Sequence, residues 1–181
     1  MNNLKELTKE QHTNAERQEF VKVLFKDITP ELYATYLWNQ FPQYELLEVM
    51  ATRHGLFDEF PEARRAKSIH KDMLELWPHT DRQPPQCPVV KDYLDHIMSI
   101  SNDPNKLMAH VYVRHMGDLS GGQMIKKKIP GKGRFYIFDG DTEELKEKIR
   151  KKVDDSMADE AKICFEFATR LFQEMMDHVD K

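Results

Sequence analysis

The chain has 181 residues, of which 40% are hydrophobic and 32% are charged, and its formal net charge is −4. This length predicts one domain, residues 1–181, with a core large enough to enclose a pocket. The sequence has no run of about 18 apolar residues, which argues against a membrane span, and its negative charge gives no general attraction to nucleic acid. The N-terminus lacks the features of a secretory signal, and Cys87 and Cys164 show no CxxC spacing. We therefore expect a cytoplasmic monomer with reduced thiols that binds neither nucleic acid nor a membrane.

Apolar residues recur at helical spacing along almost the whole chain, which predicts an all-α fold. The predicted helices cover residues 3–15, 17–27, 30–54, 60–77, 88–101, 104–129, 142–154 and 157–179. Pro30 and Pro104 stand where a helix can begin, whereas Pro42 lies inside the third helix and predicts a kink there. The aromatic segment 134–140 (RFYIFDG) is predicted to be a short extended piece packed against the helices.

The first predicted helix carries Lys5, Lys9, His12 and Glu16 within a sector of roughly 60° on a helical wheel. A neutral imidazole is a good ligand for heme iron. A carboxylate one turn later can accept the Nδ1 proton and leave Nε2 for the metal, while the lysines can pair with propionates. The same spacing also fits a surface helix with charge pairs between residues i and i+4. Spacing alone leaves both interpretations open.

Three of the seven glycines, Gly117, Gly121 and Gly122, lie inside a stretch whose apolar spacing otherwise predicts a helix. Each glycine costs about 1 kcal/mol relative to alanine inside a helix, so packing or function must offset the loss. One interpretation is a close helix crossing at a small-xxx-small pair. The other is that main chain must lie close to a flat ligand, with Arg114 and Asp118 forming a polar corner that orders water.

Motifs of other chemistries are missing from the sequence. None of the eight histidines follows a glutamate in a Glu-x-x-His pair, and there is no HExxH, P-loop, GxGxxG or GxSxG motif. Cys87-Pro88 could be a thiolate contact to heme, but a proline-rich loop explains it as well.

Three segments together resemble the heme oxygenase family: LTKEQHTNAER at 7–17, AHVYVRHMGDLSGGQMIKKK at 109–128 and AKICFEFATRLFQEM at 161–175. The GDLSGGQ block after H-x-Y-x-R is the most specific of these motifs. The resemblance spans nearly the whole chain. It implies a single-domain, all-α heme oxygenase fold, in which heme lies between a proximal N-terminal helix and a glycine-kinked distal helix.

The same resemblance implies roles for individual residues. His12 is expected to be the axial ligand of the heme iron and Glu16 its hydrogen-bond acceptor. Asp118 is expected to hold a distal water network with Tyr44, Arg114 and His110, and Gly117 and Gly121 to carry the backbone across the distal face. Further heme contacts are implied at Lys5, Lys9, Tyr112, Ser120, Gly122, Lys146, Arg150 and Phe165.

The implied reaction uses O₂ and external electrons to convert heme b, both cofactor and substrate, to biliverdin (the alpha isomer), CO and ferrous iron. Because the chain lacks a dinucleotide fingerprint, electrons must come from a ferredoxin or a flavoprotein reductase, and a bilin reductase is a candidate downstream partner. Two other functions stay open: a heme carrier or sensor on the same fold, and a helical interaction protein without cofactor.

The sequence departs from the family pattern in two places. His115 and Met116 replace the usual Tyr-Leu pair before the glycines, and the connection from the distal helix to Asp141 is shorter than usual. His115 is expected either to modify the distal polar network or to face outward.

Overall fold

The computed structural model describes residues 2–179, so the predicted domain ends at 1 and 181 lie outside the described residues. Within residues 2–179 the chain forms α-helices joined by turns and short 3-10 helices, with no strand. The α-helices are α1 (Leu4–Leu7), α2 (Lys9–Glu16), α3 (Glu19–Leu24), α4 (Pro30–Arg53), α5 (Ala66–Leu76), α6 (Pro88–Ser99), α7 (Pro104–Leu119), α8 (Gly122–Ile125), α9 (Thr142–Arg150) and α10 (Ala158–Met175). The all-α prediction is confirmed.

The predicted first helix is divided at Thr8 into α1 and α2. The Thr8 hydroxyl donates to the carbonyl of Leu4 at 2.8 Å, a side-chain bond to the preceding turn of the kind that bends helices. The backbone N–H of His12 still donates to the Thr8 carbonyl at 3.0 Å. The chain therefore continues past Thr8 with its helical hydrogen bonding largely kept.

The long helix α4 begins as its sequence predicts. Thr29 caps it by accepting from the N–H of Leu32, and Pro30 occupies the first turn, where a missing N–H costs nothing. Pro42 lies inside α4, which continues to Arg53 without a break. Several polar side chains of α4 are buried, among them Asn39, Gln43 and Glu48. Buried polar groups need hydrogen-bond partners, so this face of α4 is a candidate lining of a functional site.

The predicted helix 104–129 ends early, since α7 stops at Leu119 and α8 begins at Gly122. Ser120 between them has non-helical dihedral angles of −108° and −90°. The Gln123 amide bridges the break by donating to the carbonyls of Asp118 at 3.2 Å and Tyr136 at 2.9 Å. The break between the two helices thus lies at Ser120 and Gly121, within the glycine-rich stretch, while Gly117 is still part of α7.

The prediction of an extended piece at 134–140 is wrong, because residues Arg134–Tyr136 form a 3-10 helix. The Asp72 carboxylate accepts from the N–H groups of Arg134 at 3.1 Å and Phe135 at 2.8 Å, which stabilises the start of this turn. The guanidinium of Arg65 donates to the carbonyls of Phe135 at 3.1 Å and Ile137 at 2.7 Å. These side-chain partners are distant in sequence, so the local aromatic pattern could not reveal them.

The helices pack around α4, α7 and α10. Helix α4 contacts α5, α6 and α7, while α10 contacts α2, α3, α6 and α7. The N-terminal helix α2 and the glycine-ended helix α7 therefore share α10 as a common support. None of the helices within residues 2–179 combines the length and the apolar character that crossing a bilayer requires.

Candidate functional site

The first group of candidate residues lies where α2 packs on α10. His12 is exposed on α2, and its ring stacks on Phe165 of α10 at a centroid distance of 4.9 Å and an interplanar angle of 18°. Its Nε2 lies 2.6 Å from the Glu16 carboxylate. Phe165 is buried and packs against one face of the His12 imidazole, while the other face stays accessible to a ligand.

The orientation of the His12 ring differs from the prediction. The sequence predicts Nδ1 on the carboxylate and Nε2 free for iron, but here Nε2 is the atom that pairs with Glu16. An exposed imidazole can rotate at little cost. Iron ligation through Nε2 requires the ring to turn so that Nδ1 meets the carboxylate.

The second group is buried between α4 and α7. The Tyr44 hydroxyl donates to the Asp118 carboxylate, with distances of 3.0 and 2.9 Å to its two oxygens. Asp118 is 6% exposed, and Tyr44 is 3% exposed. Tyr44 and Asp118 are 74 residues apart in sequence, and the packing of α4 against α7 brings their side chains together.

Arg114 lies one turn before Asp118 on α7 and is held on three sides. Its Nε donates to the Tyr93 hydroxyl at 3.0 Å, and its two terminal nitrogens donate to the amide oxygens of Gln40 at 3.1 Å and Gln43 at 2.6 Å. The guanidinium also lies 4.3 Å from the Tyr93 ring centroid, within the range of a cation–π contact. Arg114 is therefore a fixed buried cation beside Asp118.

Burial raises the pKa of Asp118 to about 7, since removing a carboxylate from water disfavours its charged form. Charges at His115, Arg65 and Arg114 and the Tyr44 hydrogen bond act in the opposite direction. An acid that titrates near neutrality can hold or release a proton at physiological pH. Asp118 thus has the properties that the predicted distal acid needs.

His110, also predicted in the distal network, lies behind Arg114. Its Nδ1 accepts from the Tyr93 hydroxyl at 2.7 Å, and its Nε2 donates to Glu160 at 2.8 Å. Glu160 also accepts from Nε2 of His96. A chain of hydrogen bonds thus runs from the Glu160 carboxylate through His110 to Tyr93. Tyr93 in turn accepts from Arg114 and helps to hold it in place.

Hydrogen bonds from His110 and His96 hold the pKa of Glu160 at about 2, despite its burial. Since this pKa lies below that of an unfolded glutamate, Glu160 stabilises the fold above about pH 4.5, and the contribution is lost as pH falls toward 2.

We expect Glu160→Gln to lower the free energy of unfolding by about 2–3 kcal/mol at pH 7 and to flatten its decline below about pH 4.5. Urea unfolding as a function of pH measures both, with Glu166→Gln, an exposed position on α10, as the control. An identical acid decline in Glu160→Gln would contradict the assignment.

The glycines at the end of α7 differ from one another in their surroundings. A Cβ added at Gly117 would meet no atom within 4 Å, and one added at Gly121 would meet only the Gly117 carbonyl, at 3.9 Å. A close helix crossing would place a neighbour there, so this interpretation is wrong for both positions. At Gly122, by contrast, the Cβ would lie 2.5 Å from the Tyr136 ring, and packing accounts for that glycine.

A known protein family matches almost the whole chain. The family model described as heme oxygenase matches residues 1–174. This chain belongs to the heme oxygenase family. It is 33% identical to heme oxygenase 2 of Macaca fascicularis over 95% of its own length and 64% of that protein. It thus spans less than two thirds of the length of the mammalian heme oxygenase 2 relatives it matches.

Two solved heme oxygenase structures share the fold. Heme oxygenase-1 of the cyanobacterium Synechocystis, solved in complex with heme, superposes with a TM-score of 0.83 at 26% identity, covering 97% of this chain and 91% of that one. Heme oxygenase from Leptospira interrogans superposes with a TM-score of 0.81 at 32% identity, covering 94% and 97%. The all-α heme oxygenase fold is therefore confirmed.

The remaining heme contacts expected from the family lie on three segments. Lys5 and Lys9 are exposed on α1 and α2, and Ser120 is exposed at the break after α7. On α9, Lys146 pairs with Glu143 at 3.1 Å, and Arg150 pairs with Glu147. Burial raises the pKa of Tyr112, and the charge of Arg150 on α9, a helix that contacts α7, opposes this shift.

Sequence reasoning did not identify the residues that hold Arg114 in place. Gln40 and Gln43 on α4, Tyr93 on α6 and Glu160 on α10 are all buried and hydrogen-bonded around it. A weak signal existed, because polar residues at 39, 40 and 43 interrupt the apolar face of α4. Interpreting that face as a polar lining requires knowledge of which helix packs on it.

The two kinds of glycine allow a direct test. We expect Gly117→Ala to raise the melting temperature of the heme-free protein by a few degrees, because alanine favours the helix by up to about 1 kcal/mol and its methyl group meets no atom. Gly122→Ala should lower stability by about 1–3 kcal/mol, because of the clash with Tyr136. Thermal unfolding and hemin titration of both variants check this. Gly117→Ala should weaken hemin binding despite its greater stability, and unchanged hemin affinity would argue against a heme contact at Gly117.

Proposed function

We propose that this chain is a heme oxygenase that cleaves heme with O₂ and external electrons to biliverdin, CO and ferrous iron. The observation that carries the proposal is that α10 supports both α2, with its accessible imidazole at His12, and α7, which ends in an open strip of main chain at Gly117 and Gly121. The acid Asp118, with its pKa raised to about 7, lies directly beside that strip. Membership of the heme oxygenase family supports the same reaction.

On the proximal side, His12 would ligate the iron of the substrate. Glu16, within hydrogen-bond distance of the ring, would accept the proton of the nitrogen that faces away from the metal and so make the imidazole a stronger donor. Phe165 under the ring limits its tilt. Lys5, Lys9, Lys146 and Arg150 would pair with the propionates.

On the distal side, the missing side chains at Gly117 and Gly121 would let the heme plane lie close to main chain and leave room for O₂. The bound iron supplies the activation of O₂. Asp118 would hold a water and deliver protons, with Tyr44 fixing the carboxylate by its hydrogen bond and Arg114 providing a stationary positive charge. Tyr112 and Ser120 would line the edge of the pocket.

The electrons would come from a separate protein, because the sequence has no dinucleotide fingerprint. A ferredoxin or a flavoprotein reductase fits this need. The exposed lysines at 126–128 follow directly on α8 and would attract an acidic donor. A bilin reductase is the class of enzyme that would consume the product.

The test is aerobic turnover of the hemin-loaded full chain with a ferredoxin reducing system. We expect the Soret band to decay with stoichiometric appearance of biliverdin, identified as the alpha isomer by chromatography. Heme that binds but is recovered intact would mean a carrier or sensor, and absence of a Soret band after hemin titration would mean a helical protein without this cofactor. Either result would overturn the proposal.

A further inference from the structure

His115 stands where the family pattern has tyrosine, and its ring is completely buried. Its Nδ1 lies 3.1 Å from the carbonyl oxygen of Val111, and its Nε2 lies 2.8 Å from the Glu48 carboxylate. A carbonyl oxygen has no hydrogen to donate and can only accept a hydrogen bond. The same is true of an ionised carboxylate. Both ring nitrogens must therefore donate, which an imidazole can do only as a cation.

The surroundings of Glu48 favour its ionised form. Its Oε2 accepts from the N–H of Arg65 at 2.6 Å, and its Oε1 accepts from the N–H of Ala66 at 3.1 Å. These N–H groups begin α5, and the start of a helix favours a negative charge. A proton on Glu48 would compete with these donors. The hydrogen bonds around His115 and Glu48 are thus better matched when both side chains are charged than when both are neutral.

The charged pair lies close to the distal acid. His115 is three residues before Asp118 on α7, so the two side chains lie on the same face of the helix. The His115 ring meets the Tyr44 ring edge-on at 5.5 Å, and the hydroxyl of Tyr44 donates to Asp118. We propose that His115 is a buried cation that lowers the proton affinity of Asp118 and so sets the pH range in which the distal acid works.

His115 is a positioning residue under this proposal, because it acts through Asp118. Other groups around Asp118 also influence its charge, and they lie on several elements: Tyr33, Tyr36 and Tyr44 on α4, Arg65 before α5, Arg114 on α7 and Tyr136 in the 3-10 turn. Among the nearby charged groups, a protonated His115 lowers the pKa of Asp118 the most. Arg65 and Arg114 do not change charge near neutral pH. Glu48 faces His115 and is the group that offsets its charge.

The charge of His115 can be measured directly by ¹⁵N NMR on the labelled heme-free protein between about pH 6 and 8, the range in which histidine ordinarily titrates. We expect both ring nitrogens of His115 to carry protons throughout this range. A single neutral tautomer at neutral pH, with one unprotonated nitrogen, would overturn the proposal. This measurement needs no substitution and does not depend on the proposed function.

The influence on Asp118 is measured by ¹³C NMR of its carboxyl carbon in the heme-free wild type and in His115→Tyr, with His115→Gln as a second neutral variant. Removing the cation should move the titration midpoint of Asp118 upward by about one pH unit, roughly a tenfold change in proton affinity. A tyrosine can still donate to Glu48, so this variant keeps one of the two hydrogen bonds. An unchanged midpoint in a folded neutral variant would overturn the proposal.

The consequence for turnover rests on the proposed function. In single-turnover reactions, the alkaline limb of the rate profile, where the acid loses its proton, should move to higher pH by the same amount in His115→Tyr. Adding Asp118→Asn to the wild type and to His115→Tyr should remove the difference between the two profiles. If the Asp118 titration moves while the rate profile does not, the charge assignment holds and the catalytic use of Asp118 fails. The two failures are therefore distinguishable.

Discussion

Replacing His12 with alanine is expected to abolish biliverdin formation and to remove the histidine-ligated spectrum of bound hemin. The physical reason is that no second imidazole is available at this position, since His12 is the histidine exposed on the α2 face that packs on Phe165. Loss of an axial ligand should reduce turnover by at least about 100-fold. Added imidazole, which can enter the space left by the side chain, should restore much of the activity.

The matched control is His54→Ala. It removes an exposed histidine at the end of α4 whose Nε2 lies within hydrogen-bond distance of the Ser101 carbonyl. This variant should bind hemin and form biliverdin at the wild-type rate. Because His12 is exposed, its loss should leave the melting temperature of the heme-free protein within a few degrees of wild type. Normal turnover of His12→Ala without imidazole would remove His12 as the ligand.

Replacing Asp118 with asparagine is expected to separate activity from stability. The amide can still accept from Tyr44 but cannot exchange a proton, so biliverdin formation should fall by about 100-fold or more, with diversion toward peroxidase-like chemistry. Heme oxygenase turnover and guaiacol oxidation measure the two outcomes. Asp159→Asn, an exposed change on α10, serves as the control.

The same Asp118→Asn substitution is expected to raise the stability of the protein, although it lowers activity. The pKa of Asp118 is raised to about 7 in the folded protein, so ionising it costs folding free energy that grows as pH rises from about 4 to 7 and stays constant above. We expect heme-free Asp118→Asn to be more stable than wild type by about 2–4 kcal/mol near pH 8 and equal to it near pH 4. Urea titrations at the two pH values test this. A variant that is less stable at the higher pH would show that Asp118 contributes to stability there.

The sequence predicts features that depend on local chemistry. Periodicity located the helices, and Pro30 predicts the start of α4 correctly. Helix ends were less predictable, because Thr8 and Ser120 divide two predicted helices through hydrogen bonds and dihedral angles that periodicity does not record. The turn at 134–136 depends on Asp72, which is 62 residues away from Arg134.

The same distinction applies to the candidate site. The chemical roles proposed for His12 and Asp118 came from residue type and family motif, and they remain predictions. The surroundings of those residues came only from packing: helices α4 and α6 supply the groups that hold Arg114, and Glu48 bonds the inward-facing His115. The expected alternatives for His115 were a distal role or an outward orientation, and the outward orientation is wrong because the ring is buried.

The exposed glycines at the end of α7 also affect how tightly a ligand can bind. Helix α7 stops at Leu119, no side chain covers Gly117, and the short helix α8 is tied back by the amide of Gln123. Gly122 packs against the Tyr136 ring, and the Gln123 amide also bonds the Tyr136 carbonyl, so this open main chain is held in place by its neighbours. A flat ligand that rests on a surface fixed in advance loses little binding free energy to ordering it.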